Sequence, residues 1–240
     1  MKKAFLIILF SLIITSSGSG QTGLVLNTSN APPNATKDHT GLGDRVVREA
    51  CRRIGVEVKI IMLPSERALM NANEGIDDGN FARIRGITAI YPNLVRVPEE
   101  ITNFEFTAFT KNLNIQTTDW SSLKPYNVGI VTGWKILENS IVGAKSLVRV
   151  KDERVLFNLL AQDKADVVVY DKRQGLVLLN ELKLGQIKTL SPALAKRSMY
   201  IYLHKRHQAL VPELAAAIKA MKEDGTYKKI MDETVPLQMQ

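Results

Sequence analysis

The sequence predicts an α/β protein built as two lobes that hinge about a cleft. Segments with strand character alternate with segments with helix character along the whole chain, which is the pattern of α/β proteins. A second copy of this alternation begins near Lys111. After removal of a leader about 220 residues remain, a length that fits two lobes of roughly 100 residues better than one core.

The first half of the chain contains four predicted strands and two predicted helices. Gly55 is the expected C-terminal cap of the first helix, and Ser65 is the expected N-cap of the second. In chain order the elements are a strand at 24–27, a helix at 41–54, a strand at 56–62, a helix at 65–73, a short strand after 76–79 and a strand at 104–109.

The second half repeats this order and ends in two helices. The run from Asp166 to Tyr170 is rich in β-branched residues, which is typical of a strand buried on both faces. The predicted strands lie at 127–131, 147–150, 166–170 and 199–203. Five helices are predicted: one begins near 134, one spans 151–164, one follows Asp171 and runs towards 184, and two span 210–222 and 227–233.

Residues 1–20 have the three parts of a secretory signal peptide. Lys2 and Lys3 precede an apolar run at 4–14, and small residues follow from Thr15 to Gly20. The run is shorter than the ~20 apolar residues that cross a bilayer as a helix, so a membrane anchor is the weaker alternative. We expect cleavage after Gly18 or Gly20 and a periplasmic mature protein.

Charge and composition exclude several classes of partner. The formal charge of +8 falls to +6 when Lys2 and Lys3 leave with the leader, and the basic residues are dispersed. A nucleic-acid partner would need a dense basic patch, so no nucleic-acid partner is expected. The positive charge predicts only a mild preference for anionic ligands.

The single Cys51 cannot form an internal disulfide, and its place on an apolar helix stripe predicts a buried, inert thiol. The three histidines form no metal set, and we expect neither metal nor cofactor.

Two turns that follow strands carry candidate ligand contacts. Thr132, Gly133 and Trp134 lie between a strand and a helix, where backbone N–H groups suit a carboxylate or a phosphate. A plain strand-to-helix turn would need the same glycine. Asp171 follows its strand at the corresponding place, where its carboxylate could receive an ammonium group or cap the next helix.

Three arginines cluster in the first half: Arg67, Arg83 and Arg85. Arginine binds carboxylates through two parallel hydrogen bonds, and a solvated surface position is the alternative for each of the three. Trp134 could stack on a ligand or belong to the core. No nucleophile elbow, P-loop or dinucleotide-binding glycine motif is present, so the sequence indicates a binding protein and not an enzyme.

In this order the motifs resemble the family 3 extracellular solute-binding proteins, which are the amino-acid-binding partners of bacterial ABC importers. The likeness covers nearly the whole mature chain. The matching stretches are Gly41-Leu42-Gly43-Asp44, Pro64-x-x-Arg67-Ala68-Leu69, and the segments 74–79, 128–133, 166–171 and 224–230.

The resemblance implies the type II periplasmic-binding-protein fold. One lobe would comprise 21–110 with 200–240 and the other 111–199, joined by two hinge strands near 109–112 and 198–203. The family places the ligand carboxylate at the turn matched by Thr132-Gly133 and the ammonium group at the aspartate matched by Asp171. The family arginine that clamps the carboxylate is replaced here by the region of Tyr91, so Arg83 or Arg85 would substitute for it.

Together these observations predict a monomeric periplasmic protein that captures a small polar solute, an amino acid or a related carboxylate. Its partners would be the ligand and an ABC permease or a membrane sensor. The alternative is an enzyme on the same scaffold, such as a dehydratase of cyclohexadienyl acids, with Glu66, Asp78 or Glu105 as the candidate acid or base.

Overall fold

The computed structural model describes residues 23–29, 31–112 and 114–235. Within these residues nine strands form one mixed sheet, accompanied by seven helices. The strands are β1 (Leu24–Thr28), β2 (Val58–Met62), β3 (Gly79–Arg83), β4 (Leu94–Thr110), β5 (Asn127–Val131), β6 (Ser146–Val150), β7 (Val167–Asp171), β8 (Lys188–Thr189) and β9 (Ala195–His204). The helices are α1 (Leu42–Arg53), α2 (Ser65–Asn73), α3 (Lys135–Ser140), α4 (Glu153–Ala161), α5 (Lys172–Glu181), α6 (Val211–Glu223) and α7 (Thr226–Thr234).

The sheet joins two parallel units through two antiparallel strands. Its order is β2-β1-β3-β9-β4-β7-β5-β6, with β8 paired to β4. Strands β2, β1 and β3 are parallel at one end, and β7, β5 and β6 are parallel at the other. Strands β9 and β4 lie between them and run antiparallel to their neighbours. Helices connect the parallel strands because such strands need a crossover connection.

Each parallel unit has its own hydrophobic core. The first core is formed by buried residues of β1, α1, α6 and their neighbours, among them Leu26, Val46 and Ile218. The second core is formed by buried residues of β5, α4, β7 and their neighbours, among them Ile130, Leu156 and Val168. The two cores correspond to two lobes on one sheet.

Strands β4 and β9 pass from one core to the other. On β4, Ile101 belongs to the first core and Phe104 to the second; on β9, Ile201 belongs to the first and Met199 to the second. The change on β9 lies inside the predicted hinge segment, but the change on β4 comes before the predicted segment 109–112. The sequence carries no mark of this crossing, because inward-facing apolar residues lie on both sides of it.

Strand β4 is longer than predicted, because the expected strand at 104–109 is only its last part. The pairing of β4 with β9 changes register between Arg96 and Glu100, and Pro98 lies inside this irregularity. Proline cannot donate to a ladder and is tolerated at such a bulge. Because Pro98, Glu99 and Glu100 interrupt the pattern of a strand, the sequence does not predict the first part of β4.

The expectations for the first helices are confirmed in two details and wrong in one. Gly55 has φ of +68° just past α1, as a C-terminal glycine should. Cys51 is fully buried, and burial raises the pKa of its thiol to about 12, so it is inert. Ser65 is not the N-cap of α2: Pro64 occupies that position, and the Ser65 hydroxyl instead accepts a hydrogen bond from Arg83.

Nowhere in the described part of the chain is a helix both long and apolar enough to span a bilayer. The same residues hold no group of three or more His, Cys, Asp or Glu side chains placed to bind a metal ion. The predicted signal peptide, residues 1–20, lies outside the described residues.

Candidate functional site

A cavity lies between the two lobes, where β1, β3 and α2 of one lobe face the start of α3 of the other. Its volume is about 40 Å³, room for roughly three water molecules. We call it the inner cavity. It is lined by Thr28, Ser29, Ala31, Asn34, Ala35, Leu69, Ala82, Arg83, Ile84, Ile87, Phe104, Phe106, Gly133, Trp134, Lys135, Ile136 and Met199.

Arg83 is the buried cation of the inner cavity. Its guanidinium donates to the Ser65 hydroxyl at 2.6 Å, to the Ser65 carbonyl at 3.0 Å and to the Asn80 side chain, all of which are uncharged. No carboxylate among the described residues lies within 4.0 Å of it. Burial lowers the pKa of Arg83 to about 10, so the group stays protonated at neutral pH. A buried charge without a counter-ion favours an anionic ligand.

The local backbone explains how Arg83 reaches the interior. Pairing of β3 with β9 shifts register between Asn80 and Arg83, and Ala82 has φ of +62°. Such an irregularity re-aims a side chain, and it directs Arg83 inward at the end of the strand. Arg85 comes after β3 has ended and is exposed, with its guanidinium 5.9 Å from the ring centre of Tyr200. The two arginines therefore differ in burial, although residues two apart in a regular strand would point to the same side.

The other lobe contributes an aromatic wall and a glycine turn. Trp134 stacks on Tyr170 with ring centres 4.5 Å apart, and it contacts Phe104 and Phe106 at 5.8 Å. Gly133 has φ of +88°, and its N–H donates to the Glu138 carboxylate at 2.7 Å. The N–H of Gly133 is therefore engaged by a carboxylate of the chain itself, and contact of this turn with a ligand carboxylate stays a prediction.

A charged contact ties the lobes together at the edge of this cavity. Lys135 Nζ lies 2.7 Å from Glu66 Oε2 and 2.9 Å from Glu138 Oε2, and the Tyr91 hydroxyl donates to Glu66 Oε1 at 2.8 Å. Partial burial raises the pKa of Glu66, but the hydrogen bonds from Lys135 and Tyr91 outweigh it and leave the pKa below its ordinary value. Glu66 lies in the first turn of α2 and Lys135 begins α3, so this pair bridges the cleft.

Three of the predicted site residues do not line the inner cavity. Asp171 is fully buried and accepts hydrogen bonds from Gln174 N at 3.1 Å and Glu105 N at 2.8 Å, which is the geometry of a helix cap for α5. Thr132 donates its N–H to the Val150 carbonyl at 2.8 Å. Arg67 is exposed on α2. The structure thus brings together Arg83, Gly133 and Trp134 and leaves the other three apart.

A second and larger cavity continues the inner one beyond Trp134. This outer cavity has a volume of about 340 Å³ and shares Ser29 and Trp134 with the inner cavity. It is the more polar of the two. It is lined by Ser29, Lys37, Met62, Leu63, Pro64, Ser65, Val131, Trp134, Lys151, Asp152, Glu153, Arg154 and Tyr170.

Sequence reasoning missed Asn34 and Lys135 as cavity residues. Asn34 is 1% exposed, and its Nδ2 has no hydrogen-bond partner in the described ranges. It belongs to a loop rich in Asn, Pro and Thr, where nothing distinguishes one polar residue from the next. Lys135 directly follows the candidate turn at 132–134, and this position is a sequence signal for a cavity residue.

Comparison with known proteins shows the fold. No family model matches the chain. A protein of Shewanella oneidensis, described as uncharacterized, is 27% identical over 203 residues, which cover 80% of this chain and 75% of that protein.

Three solved structures are similar over nearly their whole length. The GluR0 ligand-binding core from Nostoc punctiforme in complex with L-glutamate is 20% identical, with a TM-score of 0.74 over 88% of this chain and 98% of that one. A histidine kinase sensor domain with similarity to periplasmic binding proteins is 15% identical, with a TM-score of 0.79 over 89% and 96%. The substrate-binding protein of an amino acid ABC transporter is 17% identical, with a TM-score of 0.73 over 89% and 99%. The predicted fold class is thereby confirmed: the chain has the two-lobed α/β fold of periplasmic binding proteins.

Proposed function

We propose that this protein is a periplasmic solute-binding protein that captures an amino acid or a related carboxylate between its lobes, for ABC import or for sensing. One observation carries the proposal: Arg83 is a buried guanidinium at the cleft, hydrogen-bonded by neutral groups alone within the described residues. The structural neighbours include an amino acid ABC transporter protein and a histidine kinase sensor domain, which support this class of function.

The inner cavity has the polar groups that a carboxylate needs. Arg83 supplies a buried positive charge, and Asn34 supplies an N–H donor without a partner among the residues described. Charge-assisted hydrogen bonds of this kind are about twice as strong as neutral ones. Lys135 adds a second cation at the edge, although two carboxylates already neutralise it.

The remaining wall is apolar and would hold the carbon skeleton of the ligand. Trp134, Phe104 and Phe106 form one aromatic surface, and Leu69 and Ile87 face the same cavity. A few placed polar groups in a mostly apolar cleft are the usual composition of a small-molecule site. The outer cavity, with its greater volume, would hold the longer part of the solute.

The candidate acids of the alternative enzyme function are all engaged in ion pairs. Glu66 pairs with Lys135 at 2.7 Å, and Glu105 lies 3.3 Å from Lys196. Asp78 pairs with Arg206, lies within hydrogen-bond distance of His207 Nε2, and is not among the residues that line the inner or outer cavity. A general acid or base needs reach to the substrate, and none of the three carboxylates lines the inner or the outer cavity. We therefore favour binding over catalysis.

The test is calorimetric titration of the purified mature protein with a panel of amino acids and dicarboxylates. Arg83→Met should weaken binding of the best ligand by roughly thirty- to several-thousand-fold, as expected for a cleft-buried charge partner worth about 2–5 kcal/mol. Arg83→Lys keeps the charge without the bidentate geometry and should fall between Arg83→Met and the wild type.

Arg85→Met is the matched control, because Arg85 is exposed and lies two residues from Arg83. It should bind as the wild type does. Ser65 and Asn80 lose a hydrogen-bond donor in the Arg83 variants. Thermal unfolding is therefore measured to establish that these variants are folded. Unchanged affinity in a folded Arg83→Met protein would contradict the proposed site.

A further inference from the structure

Gln174, in the first turn of α5, is one of the residues that line a small cavity beside the cleft. The side chain is 2% exposed, and neither Nε2 nor Oε1 has a hydrogen-bond partner within residues 23–29, 31–112 and 114–235. The cavity, which we call the side cavity, has a volume of about 20 Å³. It is lined by Pro32, Glu153, Arg154, Tyr170, Gln174, Val177, Leu178 and Glu181.

The side-chain amide of Gln174 makes no hydrogen bond with the described residues. The backbone N–H of Gln174 donates to Asp171 Oδ1 at 3.1 Å, and this bond does not depend on the side chain. A buried polar group left unpaired costs about 1–3 kcal/mol, and the great majority of such groups in proteins are paired. An unpaired donor and an unpaired acceptor on one buried side chain therefore indicate a ligand group or an ordered water.

The side cavity is the far end of the cleft and not an isolated void. It shares Glu153, Arg154 and Tyr170 with the outer cavity, and the outer cavity meets the inner one at Trp134. Trp134 lines the inner and outer cavities, Tyr170 lines the outer and side cavities, and the two rings are stacked on each other. A solute whose carboxylate lies at Arg83 would extend past both rings towards Gln174.

We propose that Gln174 forms a specificity subsite for the distal end of the solute, and that this end is a neutral carboxamide or ureido group. The proposal rests on the proposed function. A carboxamide offers both an acceptor for Nε2 and a donor for Oε1, so it satisfies the two free atoms at once. An ammonium or guanidinium group would leave Nε2 unpaired, and a carboxylate would leave Oε1 unpaired.

The surroundings of Gln174 also favour a group of small size. Arg154 and Glu181 pair with each other at 2.6 Å at the rim, so neither presents an unmatched charge. Val177 and Leu178 make part of the wall apolar, and Pro32 of the other lobe covers the cavity. The volume corresponds to one or two water molecules, so only the tip of a ligand could enter without movement of the lining.

The experiment compares the wild type with Gln174→Met, which keeps the length of the side chain and removes its hydrogen bonding. Calorimetry is run with L-glutamine and L-citrulline, with charged L-glutamate and L-arginine, and with apolar L-norleucine. The wild type should bind the carboxamide or ureido ligand at least tenfold more tightly than norleucine. Gln174→Met should lose this preference while its affinity for norleucine is unchanged or greater.

Gln186→Met is the matched control, because Gln186 is exposed and lines none of the three cavities. It should keep the wild-type preference. A wild type that binds charged or apolar amino acids without preferring the neutral amides overturns the subsite and leaves the proposed function standing. The same preference in Gln174→Met as in the wild type also overturns it, since the amide then serves an ordered water only. A wild type that binds no amino acid overturns the subsite, and one that binds neither amino acids nor dicarboxylates overturns the proposed function as well.

Discussion

At the scale of the residue, burial decides what each candidate side chain can do. Arg83 and Asp171 are both buried ionisable groups at the ends of strands, yet their surroundings differ. Arg83 faces a cavity, where a ligand can reach it. Both oxygens of Asp171 accept hydrogen bonds from backbone N–H groups, so its role as the ammonium partner stays a prediction, whereas its place as a helix cap is visible.

Asp171 should make stability depend on pH. Burial raises the pKa of Asp171 to about 6, above the ordinary 3.8. The folded state then holds a proton that the unfolded state has lost, so this contribution to stability is full below pH 4 and is lost as pH rises through 6. The total is about 3 kcal/mol, from 1.36 kcal/mol per pKa unit.

Denaturant unfolding of wild type and Asp171→Asn at pH 4, 5, 6 and 7 measures this effect. The free energy of unfolding of the wild type, relative to the variant, should fall across this range. A constant difference between the two proteins would show that Asp171 titrates normally and that its hydrogen bonds offset its burial.

At the scale of the element, the turn between β5 and α3 lies against the N-terminus of α2. A Cβ added to Gly133 would lie 2.5 Å from the Glu66 backbone nitrogen, which no real Cβ contact tolerates. The positive φ of Gly133 is a second reason for glycine at this position. The sequence indicates the turn glycine, but only the packed lobes show that its missing side chain lets α2 and α3 approach.

Gly133→Ala should therefore hold the lobes apart. We expect a larger radius of gyration by small-angle scattering and weaker ligand binding, besides a loss of stability of about 1 kcal/mol from the positive φ. Gly143→Ala is the matched control, because Gly143 has φ of +74° and its nearest neighbouring atom is 3.9 Å from the added Cβ. It should lose similar stability without opening the lobes. Equal scattering of both variants and the wild type would contradict the close approach.

At the scale of the whole molecule, the sheet makes two lobes and the ion pair between Glu66 and Lys135 connects them. The lobes share β4 and β9, which pass from one core to the other, so motion about these strands changes the width of the cleft. The pair at 2.7 Å is partly buried and joins α3 of one lobe to α2 of the other. It should therefore favour the closed arrangement of the ligand-free protein.

Glu66→Gln should shift the ligand-free protein towards an open arrangement. Loss of a partly exposed ion pair is worth about 1 kcal/mol, or roughly a fivefold change in the ratio of open to closed molecules. Scattering of the ligand-free variant should give a larger radius of gyration than the wild type, and saturating ligand should reduce the difference. Asp163→Asn removes the Lys111 pair within one lobe and should leave the scattering unchanged. Equal radii for Glu66→Gln and the wild type would contradict the bridge.

The sequence could predict the elements because their signals are local. Alternation, apolar spacing and turn residues predict most of the strands and helices. Of the run at 166–170, which is predicted to be a buried strand, residues 167–170 lie buried in β7, whereas Asp166 precedes the strand and is exposed. It could not predict the first part of β4, since Pro98 and two glutamates interrupt the pattern there. Two of the six candidate site residues, Arg83 and Trp134, are side chains that line the inner cavity, and Gly133 lines it through its backbone.

By itself the sequence determined the α/β class, the doubling into two lobes and the glycine turn, since each follows from residue spacing along the chain. Only the tertiary structure decided which arginine is buried, because a bulge turns Arg83 inward while Arg85 falls beyond the strand. It also decided that Glu66 meets Lys135 and that Gln174 faces a cavity. These contacts join residues far apart in the chain, and long-range packing sets their distances, whereas local pattern carries no information about them.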